Sequence, residues 1–144
     1  MKFWDSSAIV PLLVEERTSK ACRAALRADA SMLVWCFTRT EILSALHREH
    51  RADRLDAGAV RAAESRLNKL STRWAEVDAV IETREIAERL LRMHPLRCAD
   101  SLQLASALVA YDGRPKGRVF VVRDQLLATA AEREGFDVLV PQAR

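Results

Sequence analysis

Short apolar runs of strand length, each followed by a longer stretch with helical spacing, recur along the whole 144-residue chain. The runs are Lys2 to Asp5, Met32-Leu-Val-Trp-Cys36, Val119-Phe-Val-Val122 and Val138-Leu-Val140, with a weaker one over Ala75 to Val80. Most are apolar at consecutive positions, which is the mark of strands covered on both faces, and the segments between them are long enough to be helical crossovers. This pattern directs the chain to an α/β fold, with a central, mostly parallel sheet between two layers of helices. A hydrophobic content of 49% over this length supports one core, so residues 1–144 are expected to form a single domain without a linker.

The helical segments have readable ends. Ser6 and Ser7 open the first, and a second runs from about Thr18 to Ala28. Thr38 starts a long helix to about Asp53 with Ile42, Leu43 and Leu46 on one face. Asp56 caps the next, in which Val60, Ala63 and Leu67 recur at helical spacing. These two form a hairpin from Thr38 to Ser71, whose apolar faces are expected to offer a dimer or partner surface. A helix over Thr83 to Met93 turns Ile86, Leu90 and Leu91 inward and is stopped by Pro95. A largely buried helix begins near Ala99 and closes at Asp112-Gly113, and the last runs from Gln125 to Glu134 before Gly135.

Composition narrows the setting. Cys22, Cys36 and Cys98 are too few and too scattered for a disulfide framework or a zinc ribbon, which points to a reducing, cytoplasmic home. The apolar stretch Ala8 to Val14 is interrupted by Pro11 and is far short of the roughly 20 residues that span a bilayer, so no membrane association is expected. The net charge of +3 leaves a mildly basic surface, compatible with a polyanionic substrate and equally with mere solubility.

Against that surface stand four acids at strand-to-helix junctions: Asp5 in Phe-Trp-Asp-Ser-Ser, Glu41 in Thr-Arg-Thr-Glu-Ile-Leu, Asp100 in Cys-Ala-Asp-Ser-Leu, and Asp124 in Val-Val-Arg-Asp. Each has an ordinary use. Asp5, Asp100 and Asp124 occupy helix starts, where a carboxylate caps free amides, and Glu41 follows Thr38 at capping-box spacing. Their apolar surroundings argue for more, because buried carboxylates without basic partners are costly unless a cation neutralises them. In a parallel sheet, ligands bind at the carboxyl ends of the strands, where Asp5 and Asp124 both lie. An oxygen-only donor set favours Mg²⁺ or Mn²⁺ over zinc.

These segments, in this order, resemble the PIN-domain ribonucleases, and among them the VapC-like toxins of bacterial toxin–antitoxin pairs. The resemblance covers nearly the whole chain: a first strand ending in Asp5-Ser6-Ser7-Ala8, the Thr-Arg-Thr-Glu41-Ile-Leu-Ser-Ala-Leu helix, the Leu96-Arg97-Cys-Ala-Asp100-Ser-Leu-Gln-Leu-Ala-Ser-Ala block, and Val119-Phe-Val-Val-Arg-Asp124. It implies a PIN-like three-layer α/β/α sandwich and a metal-dependent endoribonuclease. Asp5, Glu41 and Asp100 would be the core metal ligands, Asp124 the fourth acid, and Ser6 their support. It further implies an RNA substrate such as tRNA or rRNA, a homodimer, and a small cognate antitoxin covering the acidic groove. Arg123 departs from the usual small or hydroxyl residue at its position and is expected to pair with Asp124.

Other readings are weaker. A non-catalytic PIN-fold module for RNA or protein binding would dispense with the acids. His47 and His50 do not match a zinc-protease spacing. Arg97, three residues before Asp100, and the basic loop Arg114, Lys116 and Arg118 are candidate RNA-backbone contacts, with surface salt bridges and solubility as the alternatives. Trp4, Trp35 and Trp74 read as core residues rather than stacking platforms. No Gly-rich phosphate loop, Cys-x-x-Cys or Gly-x-Ser-x-Gly occurs.

Overall fold

The computed structural model describes residues 1–143. Five strands, β1 (Lys2–Trp4), β2 (Met32–Trp35), β3 (Ala75–Val77), β4 (Val119–Val121) and β5 (Asp137–Leu139), form one sheet in the order β3-β2-β1-β4-β5. Every pairing is parallel. The helices are α1 (Ser6–Leu13), α2 (Ser19–Ala28), α3 (Thr38–Arg51), α4 (Ala57–Ser71), α5 (Val80–Met93), α6 (Cys98–Ala110) and α7 (Gln125–Glu134).

The two-residue period of the strands divides the interior into two cores. Phe3, Leu33, Trp35, Phe120 and Val122 face one side, where they meet Leu90 of α5, Leu104 and Leu108 of α6, and Leu127 and Ala131 of α7. Trp4, Met32, Val34 and Val121 face the other, against Ile9 and Leu13 of α1, Ala25 of α2, Ile42 and Leu46 of α3, and Ala63 and Leu67 of α4. The result is the three-layer α/β/α sandwich expected from consecutive apolar strand positions. Phe3 and Phe120 are register partners across β1 and β4, and their rings stack with centroids 5.2 Å apart. Both are fully buried, so truncating either to alanine is expected to cost about 3–5 kcal/mol.

Strand order reverses at β1. From it the chain steps outward through β2 and β3, and later returns to the other side for β4 and β5. The crevice at such a reversal, beyond the carboxyl ends of the strands, is where an open parallel sheet accommodates ligands. Here it opens between β1 and β4, whose ends are tied together. The Asp5 amide donates to the Val121 carbonyl (2.9 Å), and the Arg123 amide donates to the Ser7 hydroxyl (2.9 Å).

Some sequence expectations need correction. Helix α5 starts at Val80 rather than Thr83, and its buried stripe is Thr83, Ala87 and Leu90, leaving Leu91 43% exposed. Ala79 at its N-cap makes no side-chain capping bond, so the sequence carried no start signal there. The α3–α4 hairpin does not hold surplus apolar surface: Ile42, Leu46, Val60, Ala63 and Leu67 are all absorbed by the core. Large exposed apolar side chains lie instead on α5, at Val80, Ile81, Leu91 and Met93, and beside the crevice, at Phe37 and Leu126. Trp4 and Trp35 are core residues as expected, whereas Trp74 is half-buried and donates its indole N–H to Glu76 (3.0 Å). Cys22, Cys36 and Cys98 are free, and among the described residues no helix is long and apolar enough to cross a membrane.

Candidate metal and RNA cleft

Asp5 follows β1 directly and adopts extended backbone (φ −74°, ψ 150°), so its carboxylate turns back over the start of α1 and accepts from the Ser7 amide at 3.0 Å. The Ser7 hydroxyl donates to the same oxygen. Asp124 does the equivalent after β4, accepting from the Leu127 amide (2.8 Å) at the N-cap of α7. Both residues therefore cap a helix and occupy the crevice at once. The capping box expected at Glu41 does not form. Phe37 is the N-cap of α3, and the Glu41 carboxylate turns toward the crevice to accept from the Ser6 hydroxyl (2.9 Å) and the Gln103 amide (3.2 Å). Asp100 lies in the first turn of α6, whose N-cap is Arg97.

Glu41, Asp100 and Asp124 line one open cleft of about 870 Å³ together with Ser6, Ser7, Phe37, Ser44, Arg48, Arg97 and Leu126. Asp5 lies beneath the lining at 3% exposure. Burial pushes its pKa up from 3.8 to about 7; the bonds from Ser7 oppose the rise, and the charges of Glu41 and Asp100 add to it. Glu41 is raised chiefly by burial, against the bonds from Gln103 and Ser6 and with a contribution from Asp100. Asp100 is raised by burial and by the charge of Asp124, with Arg97 opposing. The acids thus feel one another across the cleft, and among the described residues none of the four forms a salt bridge.

That electrostatic frustration fits a divalent cation. The donors are all hard oxygens, their mutual repulsion is only partly offset by neutral hydrogen-bond donors and by the charge of Arg97, and a bound cation would relieve it. Among the described residues no three His, Cys, Asp or Glu side chains are yet drawn together into a set that could hold a metal ion. Serine and glutamine donors occupy the carboxylate lone pairs instead, at Asp5 and Glu41.

The remaining site expectations divide. Arg97 lines the cleft. Arg114, Lys116 and Arg118 do not: their loop feeds the start of β4, at the edge of the parallel sheet opposite the acids, and the Arg118 guanidinium sits over the Tyr111 ring at 4.9 Å. Arg123 does not pair with Asp124; it reaches Glu16 at 2.7 Å. His47 binds Glu64 (2.7 Å) and His50 approaches the Leu55 carbonyl (2.8 Å), so neither faces the cleft. Three participants escaped the sequence reading. Ser7 bridges Asp5 to the end of β4, Gln103 links Thr38 (3.0 Å) and Glu41, and Arg48 lines the cleft seven residues after Glu41. Arg48 had a signal in the sequence, since seven residues are nearly two helical turns and return a side chain to the same face.

Comparison with known proteins agrees with this architecture. The PIN-domain family profile matches residues 2–112. Two curated relatives from Mycobacterium tuberculosis, Ribonuclease VapC45 of strain CDC 1551 / Oshkosh and Ribonuclease VapC49 of strain ATCC 25618 / H37Rv, are each 32% identical over 142 residues, covering 97% of this chain and 95% of theirs. Among solved structures, a toxin-antitoxin complex from Klebsiella pneumoniae aligns with a TM-score of 0.67 at 14% identity over 100% of both chains. FitAcB from Neisseria gonorrhoeae gives a TM-score of 0.67 at 17% identity over 98% of both. At those identities the structural likeness speaks for the fold, and the profile match and the curated relatives for descent. This chain belongs to the PIN-domain family, as a VapC-like member.

Proposed function

We propose that this chain is an endoribonuclease that depends on Mg²⁺ or Mn²⁺, and that it acts as the toxin of a toxin–antitoxin pair. The observation that carries the reading is the cleft at the reversal of strand order: Glu41, Asp100 and Asp124 line it, Asp5 is buried beside it, three of these four acids have raised pKa values, and among the described residues none is paired with a basic side chain. The ribonuclease names of the curated relatives support the reaction class.

Asp5, Glu41, Asp100 and Asp124 would hold the cation, which supplies Lewis-acid chemistry: acidification of water and neutralisation of charge that builds on a cleaved phosphodiester. Ser6 and Gln103 orient the Glu41 carboxylate, and Ser7 orients Asp5 while fixing the end of β4. Burial raises the Asp5 pKa to about 7, and a cation held in the cleft would favour its charged form. Arg97, at the head of α6 and on the cleft wall, is placed to hold a substrate phosphate. The excess of acid in the cleft also defines what would silence it: a small antitoxin that covers the groove and inserts a basic side chain among the carboxylates. A homodimer and a cytoplasmic setting complete the proposal, the latter supported by three free cysteines.

The decisive assay uses purified chain stripped by chelator, with structured tRNA or rRNA as substrate. Cleavage should be absent, and should return on addition of Mg²⁺ or Mn²⁺. Equal cleavage in excess chelator refutes the metal-dependent reading, and no cleavage under any condition favours a binding module.

A further inference from the structure

The cleft wall formed by α3 carries a pattern that the acids do not explain. Phe37, Glu41, Ser44 and Arg48 all line the cleft, and their spacing of four, three and four residues places them along one helical stripe. With 1.5 Å of rise per residue the stripe is about 16 Å long, with the carboxylate between an aromatic ring at one end and a guanidinium at the other.

Phe37 is poorly suited to its place by local criteria. It is the N-cap of α3 and makes no side-chain capping bond, where Ser, Thr, Asp or Asn would stabilise the helix by about 0.5–2 kcal/mol. Its ring is also 50% exposed. Yet it is held firmly, edge to face against Trp35, with centroids 5.4 Å apart and planes at 71°, and Trp35 is itself buried at 1% exposure. A position that forgoes a cap and exposes a braced aromatic surface breaks local rules in the way functional sites do. Arg48 matches it at the other end: it is exposed, and among the described residues it has no carboxylate within salt-bridge distance.

We infer that α3 forms a track for an unpaired RNA strand, in which Phe37 stacks one exposed nucleobase and Arg48 holds a backbone phosphate on the far side of the acids. The inference rests on the nuclease reading for the direction of the strand across the acids, and assigns Phe37 and Arg48 as residues that position the substrate. A base paired in an A-form duplex does not offer its face to a side chain, whereas an unpaired base does, and stacking tolerates sequence. The ring therefore selects for unpaired nucleotides, and Arg48 contributes to affinity without reading bases.

The test measures binding by fluorescence anisotropy, in chelator so that no cleavage occurs, using a labelled single-stranded oligoribonucleotide and a duplex of the same sequence. Phe37→Leu, which keeps an apolar side chain of similar bulk, should weaken single-strand binding about 5- to 100-fold, from the range for base–aromatic stacking. Phe37→Trp should restore it, and Leu91→Ser, on the exposed part of α5, should leave it unchanged. Duplex binding should be weaker and indifferent to Phe37. A single abasic nucleotide, walked along the strand, should cost wild type affinity at one position and cost Phe37→Leu nothing there. Arg48→Gln should flatten the salt dependence of binding without moving that position. Loss of the abasic signature, equal binding by Phe37→Leu, or an effect of Phe37→Leu confined to association with a protein partner overturns the inference. Parallel assays with Mg²⁺ keep the two proposals separate: Phe37-dependent binding without cleavage sinks the nuclease reading alone, and cleavage with Phe37-independent binding sinks the track alone.

Discussion

Asp5→Asn should make the metal-free protein more stable at alkaline pH, although it alters the most buried acid of the site. Asp5 is 3% exposed, and its pKa rises from 3.8 to about 7 on folding. The folded chain binds this proton more tightly than the unfolded chain, so stability falls as pH rises, from about 3.8 through about 7, and the loss is complete above that window. The span corresponds to about 4 kcal/mol at 1.36 kcal/mol per pKa unit. Asparagine keeps the volume and the acceptor for the Ser7 amide but cannot ionise. Melted in chelator, the variant should exceed wild type at pH 8 by an amount approaching that span, roughly 10 °C for a domain of this size, and the two should converge near pH 4. Saturating Mg²⁺ or Mn²⁺ should raise the wild-type melting temperature and close much of the gap. If Asp5 matters only as the cap of α1, asparagine serves nearly as well, and the two proteins melt alike at every pH. Such pH-independent coincidence would mean that the Asp5 charge costs the fold nothing.

Two further substitutions probe the surroundings of the acids. Gln103→Leu removes the buried donor shared by Thr38 and Glu41; it should cost about 1–3 kcal/mol of stability in a denaturant titration and shift the Mg²⁺ requirement for cleavage upward, because Glu41 loses a bond that favours its charged form. Arg97→Gln should raise KM for RNA several-fold with kcat little changed, whereas Arg114→Gln combined with Lys116→Gln should leave KM unaltered, since that loop lies at the opposite sheet edge.

Much of this organisation was legible because it rests on short-range chemistry. Phe3-Trp4 and Phe120-Val121 are apolar on consecutive residues, so they had to be covered twice, and the two cores follow from that. Asp5 comes directly after β1 and Asp124 three residues after the end of β4, so the parallel sheet brings both to one edge. The position of the Arg114–Arg118 loop was equally available, because a loop feeding a parallel strand lies opposite the edge that binds ligands; its charge drew attention that its position did not warrant. Arg123 is different. Its partner Glu16 is 107 residues away and is brought near only by the packed fold, so adjacency to Asp124 was misleading. Gln103 is hidden for the same reason: a polar residue in a nearly uncharged helix shows its use only when Thr38 and Glu41 are seen beside it.

If the four carboxylates act together as one cation site, a calorimetric titration of the chelator-stripped protein with Mn²⁺ at pH 7 will show it. Run in two buffers of different ionisation enthalpy, wild type should bind Mn²⁺ with net release of protons, because burial and the neighbouring acids raise Asp5, Glu41 and Asp100 above their ordinary carboxylate values. Asp100→Ala should weaken binding at least tenfold while the protein still melts cooperatively. Mn²⁺ binding that is undiminished in Asp100→Ala, or no saturable binding by wild type, would contradict the account.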